Sequence, residues 1–352
     1  MHRLAVAGRQ AAIARHTGAR VCRVWLRTSR FAAVEAMATA TLTLRPDAGA
    51  FHDRGRARSS TGQPWPALED YQQALTMYQQ AGDRGNEAVT LGSIGAVYAR
   101  LGDWQRALDY YRQALPIQRE VGDRAGEAAT LNNTGHVYAR SGDWQRALDY
   151  YRQALPIQRE VGDRAGEAAT LNNIGGVYAR LGDRRRPLDY YRRALPIARE
   201  VGDRAGEAVT LNNTGHVYAG LGDWQRALDY YRQALPIRRE VGDRAGEAAT
   251  LNNTGRVYAG LGDWQRALDY YRQALPIRRE VGDRAGEAVT RSNIAMVHRA
   301  GGDLDRAIQE LEHVVDLERQ IDHPRLKTDT AVLEQLRRQR AEDQEPAPPV
   351  GP

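Results

Sequence analysis

WQRALDYYRQALPIQREVGDRAGEAATLNN, residues 104–133, recurs unchanged at 144–173, and close copies follow at 184, 224 and 264. Self-similarity at a 40-residue period marks a repeat architecture, in which each unit buries its apolar face only against its neighbours. A finer punctuation lies beneath it. Gly-Asp stands at 82, 102, 122 and every 20 residues onward to 302, twelve times in all. Glycine just past a helix end takes the left-handed conformation without a Cβ penalty. An Asp after it accepts hydrogen bonds from the free N–H groups of the next helix. Each Gly-Asp is therefore expected to stop one helix and start another, giving a train of helices slightly shorter than the 20-residue spacing.

The two helices of a unit differ. The first, as in 124–140, places Leu131, Thr134, Gly135 and Tyr138 on one face of a 3.6-residue period. The second, as in 143–160, lines up Trp144, Ala147, Leu148, Tyr151, Ala154 and Leu155. Small residues alternate with large ones, which lets neighbouring helices interlock. Pro156 removes one backbone hydrogen bond inside the second helix, so a bend is expected there, opposite Tyr151.

These residues resemble the tetratricopeptide repeat. Its pattern of an aliphatic-Gly pair, Tyr, Gly, an aromatic and Ala is met by Ile174-Gly175, Tyr178, Gly182, Tyr191 and Ala194, and again by Gly95, Tyr98, Gly102, Ala107, Tyr111 and Ala114. The usual period of that family is 34 residues. The six extra residues here (GDRAGE) resemble the 40-residue subclass of kinesin-light-chain-like and Pins-like adaptors and bacterial regulatory arrays. The resemblance implies an all-α, right-handed superhelical α-solenoid of antiparallel helix hairpins. Six full repeats are expected from 83, 123, 163, 203, 243 and 283, with a half repeat at 62–82 before them. The partner helix of that half repeat would fall in 43–60, where Pro46, Gly49 and Gly55 read as helix breakers, so the array is expected to begin ragged. Residues 322–341 read as a capping helix and 342–352 as a disordered tail.

Composition narrows the function. The formal charge of +6 is uneven: residues 1–61 hold 11 arginines and three acids, a net of +8, and the remainder of the chain is near −2. This leader fits an Arg-rich targeting peptide, a basic arm for an anionic surface, or sequence upstream of a true start such as Met37. It carries no specific nucleic-acid motif. Cys22 is alone, which excludes a disulfide framework and any multi-cysteine zinc site. No run of about 18 apolar residues occurs, so no membrane span is expected.

No catalytic constellation is legible: serines and histidines lie apart, and no phosphate loop is present. His136 and His216 sit two units apart, roughly 16–20 Å at ordinary helix spacing, too far to share a metal whose bonds are about 2 Å. The expected chain is a non-enzyme without cofactor or metal, cytoplasmic and bacterial.

What remains is surface. Opposite the core stripe of the first helices lie Asn133, Asn173, Asn213, Asn253 and Asn293, with Ser93 replacing the first of the row. An amide has one acceptor and two donors, matching a peptide backbone. By resemblance, the first helices line an inner groove and this row forms an asparagine ladder holding an extended peptide or partner segment. A second row, Asn132, Asn172, Asn212 and Asn252, is expected to bond between neighbouring helices instead. For the first row both roles stay open.

Because recent duplication copies residues whether useful or not, departures from uniformity inform most. Along the groove stripe run Ala96, His136, Gly176, His216, Arg256 and Met296, and along its edge Arg100, Arg140, Arg180, Gly220, Gly260 and Ala300. The amino-terminal half is more basic, which suits an acidic ligand segment. The alternative role is a regulatory or sensor module of a bacterial signalling or transcription-regulating system, acting with a separate effector. The expected partner is a protein or peptide, with no specific nucleic acid and no membrane, and a homo-oligomer is expected through the ragged amino-terminal end.

Overall fold

Every Gly-Asp junction stops one helix and admits the next. The computed structural model describes residues 1–344, and the regular structure among them is entirely helical. All twelve junction glycines, Gly82 to Gly302, have φ between 68° and 86°, where a side chain would be strained. At a typical junction the Asp123 N–H donates to the Gln118 carbonyl at 2.8 Å, closing one helix, while Asp123 Oδ1 accepts from the Gly126 N–H at 2.9 Å, capping the next.

The helices fall into two compact units, the first ending at Val177 and the second starting at Tyr178. The first contains α1 (His2–Ala7), α2 (Ala11–Arg27), α3 (Phe31–Leu42), α4 (Ala48–Ser60), α5 (Pro64–Ala81), α6 (Arg84–Leu101), α7 (Trp104–Glu120), α8 (Arg124–Ser141) and α9 (Trp144–Glu160). The division lies within α10 (Arg164–Arg180). The second continues with α11 (Arg186–Glu200), α12 (Arg204–Gly220), α13 (Trp224–Glu240), α14 (Arg244–Gly260), α15 (Trp264–Glu280), α16 (Arg284–Ala300), α17 (Leu304–Gln320) and α18 (Leu326–Gln344). The second helices run through their internal prolines, and Pro156 is exposed. Helix α11 starts late, because Arg184-Arg185-Arg186-Pro187 replaces Trp-Gln-Arg-Ala and Pro187 fits only the first turn.

Packing within a hairpin rests on a glycine against a tyrosine. A Cβ on Gly135 would stand 2.8 Å from the Tyr151 ring, and one on Gly95 2.6 Å from Tyr111. These tyrosines are buried to within 2% of full. A second tyrosine pair stacks beside them, Tyr98 on Tyr110 and Tyr138 on Tyr150, with centroids 5.6 and 5.4 Å apart. The second unit repeats both devices at Gly215–Tyr231 and Tyr218–Tyr230.

The six residues beyond the usual period build an ion-pair chain at the helix ends. Glu127, 4% exposed, accepts from Arg119 of the preceding helix at 2.7 Å and from Arg124. Arg124 in turn reaches Glu160 at 2.8 Å, fastening the start of α8 to the end of α9. In the second unit Arg239, Glu247, Arg244 and Glu280 repeat the arrangement.

One expectation needs correction. Residues 48–60 form α4, which packs along α5 as a full hairpin partner, so the array does not begin with a half repeat. Gly55, read from the sequence as a breaker, stands 40 residues before Gly95 and receives Tyr71 in the same way, a Cβ there meeting the ring at 2.9 Å. Pro46 lies just before the helix, and Asp47 caps it through the Ala50 N–H at 2.9 Å. The tyrosine stack is replaced in this hairpin by Arg58 and Asp70. Asp70, 2% exposed, accepts from Arg58 at 3.0 Å and from Arg54 at 2.7 Å, and Arg58 also donates to Glu35 of α3 at 2.9 Å. The α5 face expected to be open for end-to-end pairing is therefore covered. At the other end α18 packs on α17 and runs to Gln344, three residues into the expected tail. The rest of that tail lies outside the described residues.

Candidate functional site

The face of the first helices that turns away from their hairpin partners carries the expected site residues. Asn133 (α8) and Asn173 (α10) in the first unit, and Asn213 (α12), Asn253 (α14) and Asn293 (α16) in the second, are each half-buried. His136, His216 and Arg256 are exposed one turn on, and Arg100, Arg140 and Arg180 are exposed at the helix ends.

The asparagines do not stack like with like. In the first unit Asn132 Oδ1 accepts from Asn173 Nδ2 at 3.4 Å and from Thr170 Oγ1 at 3.0 Å. In the second, Asn212 Oδ1 accepts from Asn253 Nδ2 and Thr250 Oγ1, both at 3.3 Å, and Asn252 Oδ1 accepts from Asn293 Nδ2 at 3.0 Å. The two rows thus form a zigzag that ties α8 to α10 in the first unit and α12 to α14 and α14 to α16 in the second. A first-row amide that gives one N–H to this seam still has a carbonyl oxygen and a second N–H in its inventory.

A concavity opens on this face in each unit. In the first unit, a pocket of about 480 Å³ is lined by Ser93, Ala96 and Arg100 from α6 and by Asn133, His136 and Arg140 from α8, with Trp104 and Tyr111 from α7. Helix α4 adds Arg56, Ser59 and Ser60, and α5 adds Tyr71. The guanidinium of Arg140 lies 5.9 Å from the Trp104 ring centre, and Arg100 donates to Ser59 Oγ. In the second unit, a pocket of about 350 Å³ is lined by Arg256, Asn293, Gly260, Trp264, Met296 and Ala300, among others. Neither pocket is lined by Asn173, Asn213, Asn253, His216 or Arg180.

Electrostatics follows from these neighbours. Desolvation and then the Arg140 charge push the His136 imidazole below its ordinary pKa. Desolvation, Arg256 and Arg180 do the same at His216. Both rings are neutral at pH 7 and can donate and accept. Burial raises the Tyr71 phenol to about 12, against the opposing pull of Arg56 and Arg100. Among the described residues no three His, Cys, Asp or Glu side chains gather as a metal site, and burial pushes the Cys22 thiol to about 12.

Arg56, Ser59 and Ser60 escape a reading that stops the array at α5. Their signal is the period itself: Gly55 precedes Tyr71 by the interval separating Gly95 from Tyr111, and Arg56 stands 40 residues before Ala96.

Comparison with known proteins agrees with this geometry. The tetratricopeptide repeat model matches residues 86–160, 126–200, 166–240, 207–280 and 246–320. No protein of curated function matches the sequence. Among solved structures, BtubC (BKLC) from P. vanneervenii is 25% identical over 65% of this chain and 92% of that one, with a TM-score of 0.53. A STAND signal-transduction ATPase from Pyrococcus horikoshii, which has a tetratricopeptide repeat sensor, is 16% identical over 86% of this chain and 45% of its own, with a TM-score of 0.66. A Rap protein complexed with Competence and Sporulation Factor is 16% identical over 95% and 99% of the two chains, with a TM-score of 0.62.

Proposed function

Because the chain belongs to the tetratricopeptide repeat family, we propose that it is a non-catalytic scaffold whose first-helix faces bind an extended peptide or a segment of a partner protein. The observation that carries this reading is the contrast between faces. At the junctions and second helices Arg106, Arg112, Arg119 and Arg124 pair with Asp103, Asp109, Glu127 and Glu160, whereas the first-helix face gathers arginine, histidine and amide around open pockets. Asn133, Asn173, Asn213, Asn253 and Asn293 are proposed to bond the ligand backbone with the groups they do not use in the seam. His136, His216, Arg256, Arg100, Arg140 and Arg180 are proposed to read its side chains. Each hydrogen bond adds about 0.5–1.5 kcal/mol net, so several in series support micromolar-class binding. Among the described residues no helix is long and apolar enough to cross a membrane; a cytoplasmic scaffold is part of this proposal.

A test is alanine at Asn173, Asn213 and His216 together, read by isothermal titration against a pool of random twelve-residue peptides. Binding should weaken by about tenfold, the loss of one to three net hydrogen bonds. Asn132→Ala, which removes the acceptor of the seam between α8 and α10, should instead lower the melting temperature. Binding unchanged by the triple variant would move the site elsewhere.

A second reading is favoured by the Rap complex and by the repeat sensor of the STAND ATPase: the array senses a peptide for a separate effector. It predicts that peptide binding changes the affinity for a partner carrying a nucleotide-binding or DNA-binding domain, measurable by co-purification with and without peptide.

A further inference from the structure

The pocket between α4 and α8 gathers Arg56, Arg100 and Arg140, and no carboxylate lines it. Elsewhere in the same unit arginines pair: Arg106 with Asp103 at 3.3 Å, Arg112 with Asp109 at 2.9 Å and Arg119 with Glu127 at 2.7 Å. Among the described residues the pocket arginines form no ion pair. Arg100 donates to a serine hydroxyl and Arg140 lies over a tryptophan. Asp53, one turn before Arg56, is within electrostatic reach of it but lines a separate small cleft with Cys22. A guanidinium stays charged at any working pH, and its fork matches a carboxylate. Three like charges around one concavity with aromatic walls focus positive potential into it.

We propose that this pocket is an anion-recognition subsite that takes an acidic segment of a partner protein, its carboxylates seated on Arg56, Arg100 and Arg140. The inference rests on the peptide-binding reading above and supplies the chemistry of the ligand. The three arginines are rooted on successive first helices, α4, α6 and α8, and packed helices stand about 8–10 Å apart. A single phosphoryl group holds its charge at one point. Carboxylates on an extended strand, rising about 3.3 Å per residue, spread theirs along the row of roots. Arg100 and Arg140 recur at the repeat period, but Arg56 comes from a helix outside the near-identical copies, so duplication does not account for the third charge.

The test is fluorescence anisotropy on the full chain with four labelled probes. They are a twelve-residue peptide of alternating Glu and Gly, its Gln-Gly counterpart, the counterpart carrying one phosphoserine, and a pool of uncharged random peptides. The Glu-Gly peptide should bind at least about tenfold more tightly than its Gln counterpart, as charge-assisted bonds require. Arg56→Ala and, separately, Arg140→Gln should each remove most of that margin, with melting curves confirming that both variants fold. Arg106→Ala, whose partner is Asp103, should leave the margin intact. Equal affinity for the Glu and Gln peptides, an equal loss in Arg106→Ala, or tightest binding of the phosphoserine peptide would each overturn the proposal. If the uncharged pool binds with no preference for acid, the subsite fails and the peptide-binding reading stands. If no probe binds, both fail.

Discussion

The pocket of α4–α8 and the pocket of α14–α16 occupy matching positions of one repeat, yet the first gathers three arginines and the second only Arg256, where the first has Ala96. The first has Arg100, Arg140 and His136 where the second has Gly260, Ala300 and Met296. The scaffold beneath is the same, with Gly135 against Tyr151 in one and Gly255 against Tyr271 in the other. Ligand chemistry is therefore written in two positions per repeat, and the packing residues leave those positions free to vary. The first pocket suits a charged segment. The second, with Met296 66% exposed and Trp264 42% exposed beside the single charge of Arg256, suits an apolar side chain next to one acid.

The comparison can be broken by moving the residues that make it. Arg100→Gly with Arg140→Ala gives the first pocket the edge of the second. An acidic peptide should then bind about a hundredfold more weakly, the loss of two charge-assisted bonds, as read by calorimetry.

A smaller effect tests the helix that sets the first pocket apart. Burial raises the Asp53 carboxyl from 3.8 to about 6, with Arg56 and Arg23 opposing. A folded pKa above the unfolded one means stability is full below 3.8 and is lost as pH rises through about 6. Asp53→Asn, which installs the side chain found at Asn133, should therefore stabilise the protein by about 1–2 kcal/mol at pH 8 after allowance for solvent. It should change nothing at pH 3. Urea denaturation at the two pH values measures both.

The reverse exchange is smaller again. Gly260→Arg with Ala300→Arg should raise the acidic-peptide affinity of the second pocket by about tenfold. A Cβ at 260 would stand 3.2 Å from Trp224, a tight contact, so that ring must shift slightly to admit the arginine. The least effect is with pH. Lowering pH from about 7.5 to about 5.5 should strengthen acidic-peptide binding a few-fold as His136, held neutral by desolvation and Arg140, gains a proton beside a carboxylate. His136→Asn should flatten that dependence.

The repeat made most of the fold readable before any coordinates. A Gly-Asp pair has one local meaning, and its recurrence leaves little for tertiary context to override. Helix α4 was hidden for a local reason. A glycine inside a helix normally weakens it, and only the presence of Tyr71 across the hairpin shows that Gly55 is there for space. The loss of periodic tyrosines at Arg58 and Asp70 hid it further, since an ion pair does the work of the stack. The site was legible as a row of positions and illegible as a set of bonds. Sequence spacing aligns Asn132 with Asn172 and Asn133 with Asn173, but the bridge runs from Asn132 to Asn173, because which amide meets which depends on the offset between successive helices.

Blocking one face at a time shows which helices hold the ligand. Ala96→Trp with Gly220→Trp fills the first-helix face in both units, at a pocket wall and at a position with open space around it. Gln113→Trp with Gln233→Trp places the same bulk on exposed positions of second helices. Binding of the random peptide pool, measured by anisotropy, should be lost in the first pair and retained in the second. Retention in the first pair with loss in the second would contradict the account.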